Sequence, residues 1–239
     1  AFPELQPLIA YKKDMTPENV LDHVLASASF PGFQPTVIGD KKYLDGGLYD
    51  ACPYNELLDY GCDEVIAIRL NGFGIIHPLR DKQKIRQIFP SEQLGPVMRF
   101  DPATSRRNIQ MGYYDTMRFM RELPGQLYYF SEKADGFAAF AALPEGLSPR
   151  RALFEHILPA VAAELRLPRE AGYDDLLLAL MEHRAEQLGI GRFRWYTPAQ
   201  LQAVIAESTA LPEEPRRPLL RSRPLEAAEI LAAALPLLG

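Results

Sequence analysis

A chain of 239 residues, 47% hydrophobic and 24% charged, can bury a sizeable core, and its length leaves one domain or two open. Acidic side chains outnumber basic ones, 31 to 26, and the net charge of −5 argues against a nucleic-acid partner, because phosphate binding needs a basic surface. Cys52 and Cys62 make no disulfide framework: with a helix between them they would stand about 15 Å apart, too far to bridge. Reduced thiols fit a cytoplasmic setting, Ala1-Phe2-Pro3 is no signal peptide, and no run reaches the ~18 apolar residues that cross a membrane.

Along the chain, Leu5 to Tyr11 is apolar and proline-bounded, which predicts a short strand, and Thr16-Pro17-Glu18 signals a helix start with Pro17 at the first helical position. Val20, Leu21, Val24, Leu25 and Ala28 form one apolar face of that helix, and Phe30-Pro31-Gly32 ends it. Val37 to Leu44 reads as a hairpin turning at Gly39-Asp40, which delivers Asp45 at the exit of its second strand. The next helix begins at Asp50 or Cys52, carries Pro53 at its start and Tyr54, Leu57 and Leu58 on its apolar side, and is capped by Gly61.

Glu64 to Leu70 is nearly continuous in apolar residues, the pattern of a parallel strand covered on both faces. Lys84 to Phe89 is a further strand, and Asp101-Pro102 opens a long helix through Ile109, Tyr113, Met117 and Met120 to Leu123. From about Pro149 the composition turns to leucine, alanine and glutamate. Leu153, Ile157, Val161 and Leu165, then Leu176 to Leu188, follow helical spacing, and Thr197-Pro198 and Pro224-Leu225 begin two more helices. The expected organisation is an α/β part over residues 1–148 followed by a helical module over 149–239.

The chemistry-bearing candidate is Asp45 with Gly46 and Gly47. A carboxylate beside two glycines can approach another backbone with no Cβ in the way, which suits a base meeting a nucleophile from elsewhere. Taken alone, such an aspartate reads as a turn residue capping the following backbone. The motifs around it reverse that reading. Ala26-Ser27-Ala28-Ser29-Phe30-Pro31-Gly32, Tyr43-Leu44-Asp45-Gly46-Gly47, Pro53 with its helix, the strand Val65 to Leu70, and Arg106-Arg107-Asn108-Ile109 with Gly112-Tyr113-Tyr114-Asp115 occur in one order. In these, the segment from Leu5 to about Phe130 resembles the second half of bacterial patatin-like phospholipases.

The resemblance implies a three-layer α/β fold with a parallel-rich sheet, here partial, and a serine and aspartate dyad, without histidine, that cleaves acyl esters of lipids. Asp45 matches the aspartate, which would accept the serine proton while backbone amides of a glycine-rich loop hold the oxyanion. Asp45 should then sit in a partly apolar pocket. No cofactor is expected, and no metal, since the histidines and cysteines lack ligand spacing. Its partners are a lipid or other acyl ester, a transient membrane-surface contact, and an upstream segment carrying the serine elbow, covalent or as a separate chain.

No G-x-S-x-G occurs in these residues. The chain is therefore read as a fragment of a longer polypeptide, as one partner of a chain that supplies the serine, or as a non-catalytic lipid- or partner-binding relative. The fragment is favoured, because the sequence starts in mid-fold. Ala51 stands where the family pattern usually has asparagine, which bears on the geometry of the loop after Asp45.

Other candidates have plainer readings. Asp50 suits a helix N-cap. Ser27 and Ser29 lie near a helix end without the strand-turn-helix elbow of a nucleophile, and Ser29 can satisfy backbone groups before Pro31. His23, His77, His156 and His183 lack metal-ligand spacing, and His23 sits on an ordinary amphipathic helix. Tyrosines and methionines between Met98 and Tyr129 read as core rather than acyl pocket. Arg216, Arg217, Arg221 and Arg223 read as a solvated loop, and Ala227 to Leu238 as a docking helix.

Overall fold

The computed structural model describes residues 6–70, 72–96, 98–99, 101–208, 219 and 222–235. They fall into two compact units, Ala1–Asp101 and Pro102–Gly239. The first is a partial α/β fold, and the second is largely helical.

In the first unit, residues 6–11 run without a strand and end in a single helical turn, Lys12–Asp14. The expected strand from Leu5 is thus not formed over its described residues. An isolated extended segment gains nothing without a ladder partner. Helix α1 spans Val20–Ser27, not from Pro17. Asn19 delays it: its side chain accepts from the Thr16 N–H at 2.8 Å, closing a turn first. Strands β1 (Thr36–Ile38) and β2 (Lys41–Tyr43) pair antiparallel, with Ile38 opposite Lys41. The two-residue turn between them places Gly39 at φ +63, a left-handed conformation that suits the strand twist.

After β2 comes a single turn of helix, α2 (Gly47–Asp50), and α3 begins only at Tyr54 (Tyr54–Asp59). Asp50 therefore starts no long helix; its carboxylate accepts from the Cys52 N–H at 3.0 Å, bridging the break. Gly61 follows α3 at φ +103, the expected capping glycine. Strands β3 (Val65–Ile68) and β4 (Ile85–Ile88) pair in parallel, Val65 opposite Ile85. Val65, Ala67 and Ile85 form a small core with Tyr54, against which Leu58 packs, whereas Leu57 is exposed.

β3 differs from the expectation of a strand covered on both faces. Val65 and Ala67 are buried, but Ile66 is 44% and Ile68 61% exposed, because the described residues supply a layer on one face only.

The second unit opens with α4 (Pro102–Met120). Its inward face is not the predicted stripe: Ile109, Tyr113 and Met120 are exposed, and Met111 and Asp115 are buried. A polar residue takes the interior position because it is satisfied there. Asp115 accepts from Arg118 at 3.0 Å and from the Tyr129 hydroxyl at 3.1 Å. Tyr129 belongs to β5 (Tyr129–Phe130), which pairs in parallel with β6 (Trp195–Tyr196).

Between these strands lie α5 (Gly136–Ala141), α6 (Arg150–Ala152) leading through a π turn, Leu153–Ile157, into α7 (Leu158–Glu164), and α8 (Tyr173–Gln187). Helices α9 (Pro198–Ser208) and α10 (Pro224–Ala234) complete the unit. The π turn inserts one extra residue into its helical turn, so that Leu153, Ile157, Leu158 and Val161 are all buried. α8 is the central helix, packed by α5, α9 and α10, and it buries three consecutive leucines, Leu176 to Leu178. The predicted start of α9 is a reciprocal cap: Thr197 N–H donates to Gln200 at 3.0 Å, and Gln200 N–H to the Thr197 hydroxyl at 3.1 Å. α10 docks on α7 and α8, as an apolar C-terminal helix should. Of the four clustered arginines only Arg223 lies within the described residues, and it caps α10.

Candidate functional site

Asp45 emerges at the end of β2, where the hairpin turn has pointed the chain back toward the end of α1. Its backbone N–H donates to the Ser29 carbonyl at 2.9 Å, and the Gly46 N–H donates to the Ser27 carbonyl at 3.2 Å. The two sequence motifs around Ser27 and Asp45 are therefore joined directly, main chain to main chain. The carboxylate is held next: its Oδ1 accepts from the Gly47 N–H at 2.7 Å. A Cβ on Gly47 would lie 3.0 Å from that same oxygen, so a side chain there would crowd the carboxylate. This is the physical use of the second glycine.

The half-buried Asp45 lines a broad cavity of about 1250 Å³. The apolar part of the wall includes Leu8, Ile9, Ala26, Ile66, Ile68 and Phe73, which meets the expectation of a partly apolar surrounding. A ligand pocket is ordinarily roughly 300–1000 Å³, so this space is large for one small molecule. The outer face of β3 forms one side of it, which brings the exposed isoleucines and the carboxylate into one space.

Ser29 is 5% exposed and engaged on every side. Its hydroxyl donates to the Leu25 carbonyl at 2.9 Å, so the 2.8 Å contact with Thr36 must be Thr36 donating to Ser29, which also accepts the Thr36 N–H at 3.2 Å. It fastens α1 to β1, and its proton is committed to the Leu25 carbonyl rather than to a base. His23 is likewise committed: its Nδ1 donates to the Asn19 carbonyl at 2.8 Å within its own helix. Burial raises the Cys52 thiol above its ordinary pKa, a nearby Arg69 opposing and Asp50 adding to the effect. Among the described residues no group of three or more His, Cys, Asp or Glu side chains could hold a metal ion.

Two residues of the site had no signal in the sequence. Gly74 and Ile75 cross behind α2: the Ile75 N–H donates to the Gly47 carbonyl at 3.0 Å, and the Ile75 carbonyl accepts from Ala51 at 2.6 Å. Gly74-Ile75, in an irregular segment, matches no motif.

An aspartate followed by two glycines thus leaves a hairpin in a partial α/β unit that also holds a parallel strand pair. Among family models, residues 4–58 match Patatin-like phospholipase, a stretch that contains both the Ser27 turn and Asp45 to Gly47. The chain is also similar to the Uncharacterized protein YjjU of Escherichia coli (strain K12), with 26% identity over 117 residues. That alignment covers 48% of this chain and 31% of the relative, so the chain spans about a third of the curated relative's length. No solved structure matches.

Proposed function

We propose that this chain carries the general base of a serine acyl hydrolase acting on lipid esters, with Asp45 as the base and the nucleophilic serine supplied by another segment, covalently joined or on a separate chain. One observation carries the reading. In a segment that matches the patatin-like phospholipase model, an aspartate is fixed by its own backbone and by Gly47 while lining a large, partly apolar cavity.

Oδ1 is occupied by the Gly47 N–H, which leaves Oδ2 for the serine proton. As the serine oxygen attacks the ester carbonyl carbon, its proton passes to Asp45. Collapse of the tetrahedral intermediate breaks the bond to the alcohol, which leaves with that proton. Water then attacks the acyl-serine, giving its proton to Asp45, and the fatty acid departs as the serine recovers it. The apolar walls suit an acyl chain, and transient contact with a membrane surface would deliver it. No described helix is long and apolar enough to cross a membrane.

The test is a fluorophosphonate serine-hydrolase probe applied to the natural protein, read by intact mass, together with Asp45→Asn. A single adduct, and turnover reduced by roughly 10³-fold or more in a folded Asn variant, are expected. Near-normal ester hydrolysis by Asp45→Asn would sink the assignment of the base. Absence of any adduct on the protein or on a companion chain would favour a lipid-binding relative without catalysis.

A further inference from the structure

We infer that Gly74 and Ile75 are positioning residues for the Asp45 carboxylate, a role that rests on Asp45 being the base.

The contacts run in series from the carboxylate outward. Gly47 donates its N–H to Asp45 Oδ1 at 2.7 Å, and its carbonyl accepts from Ile75 at 3.0 Å. Ile75 also takes the Ala51 N–H at 2.6 Å, so a single residue grips both the beginning and the end of the α2 turn. The residue whose N–H holds the carboxylate is thereby itself held through its carbonyl, one peptide further on.

Gly74 is what allows that grip. Its φ is +146, and a Cβ built there would lie 2.7 Å from the Gly47 carbonyl oxygen and 2.6 Å from the Ala51 Cβ. Both distances are shorter than any real contact. A side chain at 74 must push Gly47 away, and with it the N–H that orients Asp45. Ala51 lies within this same approach, and its small side chain fits the narrow space.

The strap is also tied on its other side. The Phe73 ring stands edge-on to Phe30, 5.8 Å between centroids, and Phe30 belongs to the turn whose Ser27 and Ser29 carbonyls receive the N–H groups of Gly46 and Asp45. The segment before Asp45 and the segment behind α2 are thus braced against each other around the carboxylate.

A misplacement on the ångström scale can cost about 100-fold in rate while leaving substrate binding intact. In the full-length natural protein, with p-nitrophenyl butyrate as the probe ester, Gly74→Ala should lower kcat by about 10- to 100-fold with KM little changed and with the fold retained by thermal melt. Phe73→Ala, which introduces no clash, should produce a smaller loss of kcat, with KM rising as well because Phe73 also lines the cavity, and its kcat carries the test if Gly74→Ala fails to fold. The deciding measurement is the pair Asp45→Asn and Asp45→Asn/Gly74→Ala, or the same pair with Phe73→Ala. If the strap acts through Asp45, the double variant is no slower than the single one. Multiplied losses, or a fully active folded strap variant beside an inactive Asp45→Asn, would overturn the positioning role alone. An active Asp45→Asn would overturn it together with the reading it rests on.

Discussion

The Asp45 N–H donates to the Ser29 carbonyl at 2.9 Å. This bond makes the turn after α1 part of the site, since the same serine's side chain ties α1 to β1. The position of Asp45 thus depends on the hydroxyl that ties α1 to β1.

Ser29→Ala separates those roles. It would leave the part-buried Thr36 hydroxyl and N–H without their partner and should destabilise the first unit by about 1 kcal/mol. Folded molecules of the variant in the natural protein should still take up one fluorophosphonate adduct. Loss of the adduct in a folded sample would restore Ser29 as a nucleophile.

Gly136 is the tightest glycine of the second unit. A Cβ there would lie 2.0 Å from the Tyr173 carbonyl oxygen, and its N–H donates to Asp174 at 2.8 Å. Gly136→Ala must therefore part α5 from the start of α8 and should cost about 2 kcal/mol or more. These 239 residues hold one tryptophan, Trp195 in β6, so urea unfolding of this chain followed by its fluorescence reports on the second unit. An unchanged urea midpoint would refute the close approach.

Glu182 supplies a pH prediction. Its Oε1 accepts three backbone N–H groups, from Gln126, Leu127 and Tyr128 at 2.8, 2.9 and 2.9 Å. Burial nevertheless raises its pKa above the ordinary 4.5, outweighing those bonds, which lower it. A carboxyl raised in the folded state contributes stability below its unfolded pKa and loses it as pH rises through the folded value. The stability of the parent relative to Glu182→Gln should therefore decline as pH increases from the ordinary carboxylate range toward neutrality. Urea midpoints of both proteins across that range check it, and a difference that grows with pH would contradict the sign.

Cys52 should alkylate with a pH dependence displaced upward from the ordinary thiol value of 9.0, because burial disfavours its thiolate. Iodoacetamide labelling resolved by peptide mass gives the rate at each pH. A half-point below 9.0 would mean that Arg69 dominates over burial.

Much of the first unit was legible because its signals are local. Gly39-Asp40 marked the hairpin, Gly61 the end of α3, and the Asp45-Gly46-Gly47 run the loop, each through its own backbone demands. The face of α4 was not legible, since Ile109 and Tyr113 look like core and Asp115 does not. What buries Asp115 is a pair of partners, Arg118 and Tyr129, and the more distant of them is brought in only by the folded chain. Glu182 escaped notice for the same reason: its partners are backbone groups more than fifty residues away. The change in composition near residue 149 lies inside the second compact unit, which begins at Pro102. Periodicity registers what a helix is made of, whereas the division into units follows which helices touch. Gly74 gave no motif because its meaning is a distance to Gly47.

The outer face of β3 has a practical consequence for anyone handling these residues by themselves. Ile66 and Ile68 present branched hydrocarbon to water beside the carboxylate of Asp45, a surface that dyes, detergents and chaperones all recognise. Preparations of this chain should adhere to phenyl resin and brighten anilinonaphthalene sulfonate, and mild detergent should reduce both effects without unfolding the helices of the second unit.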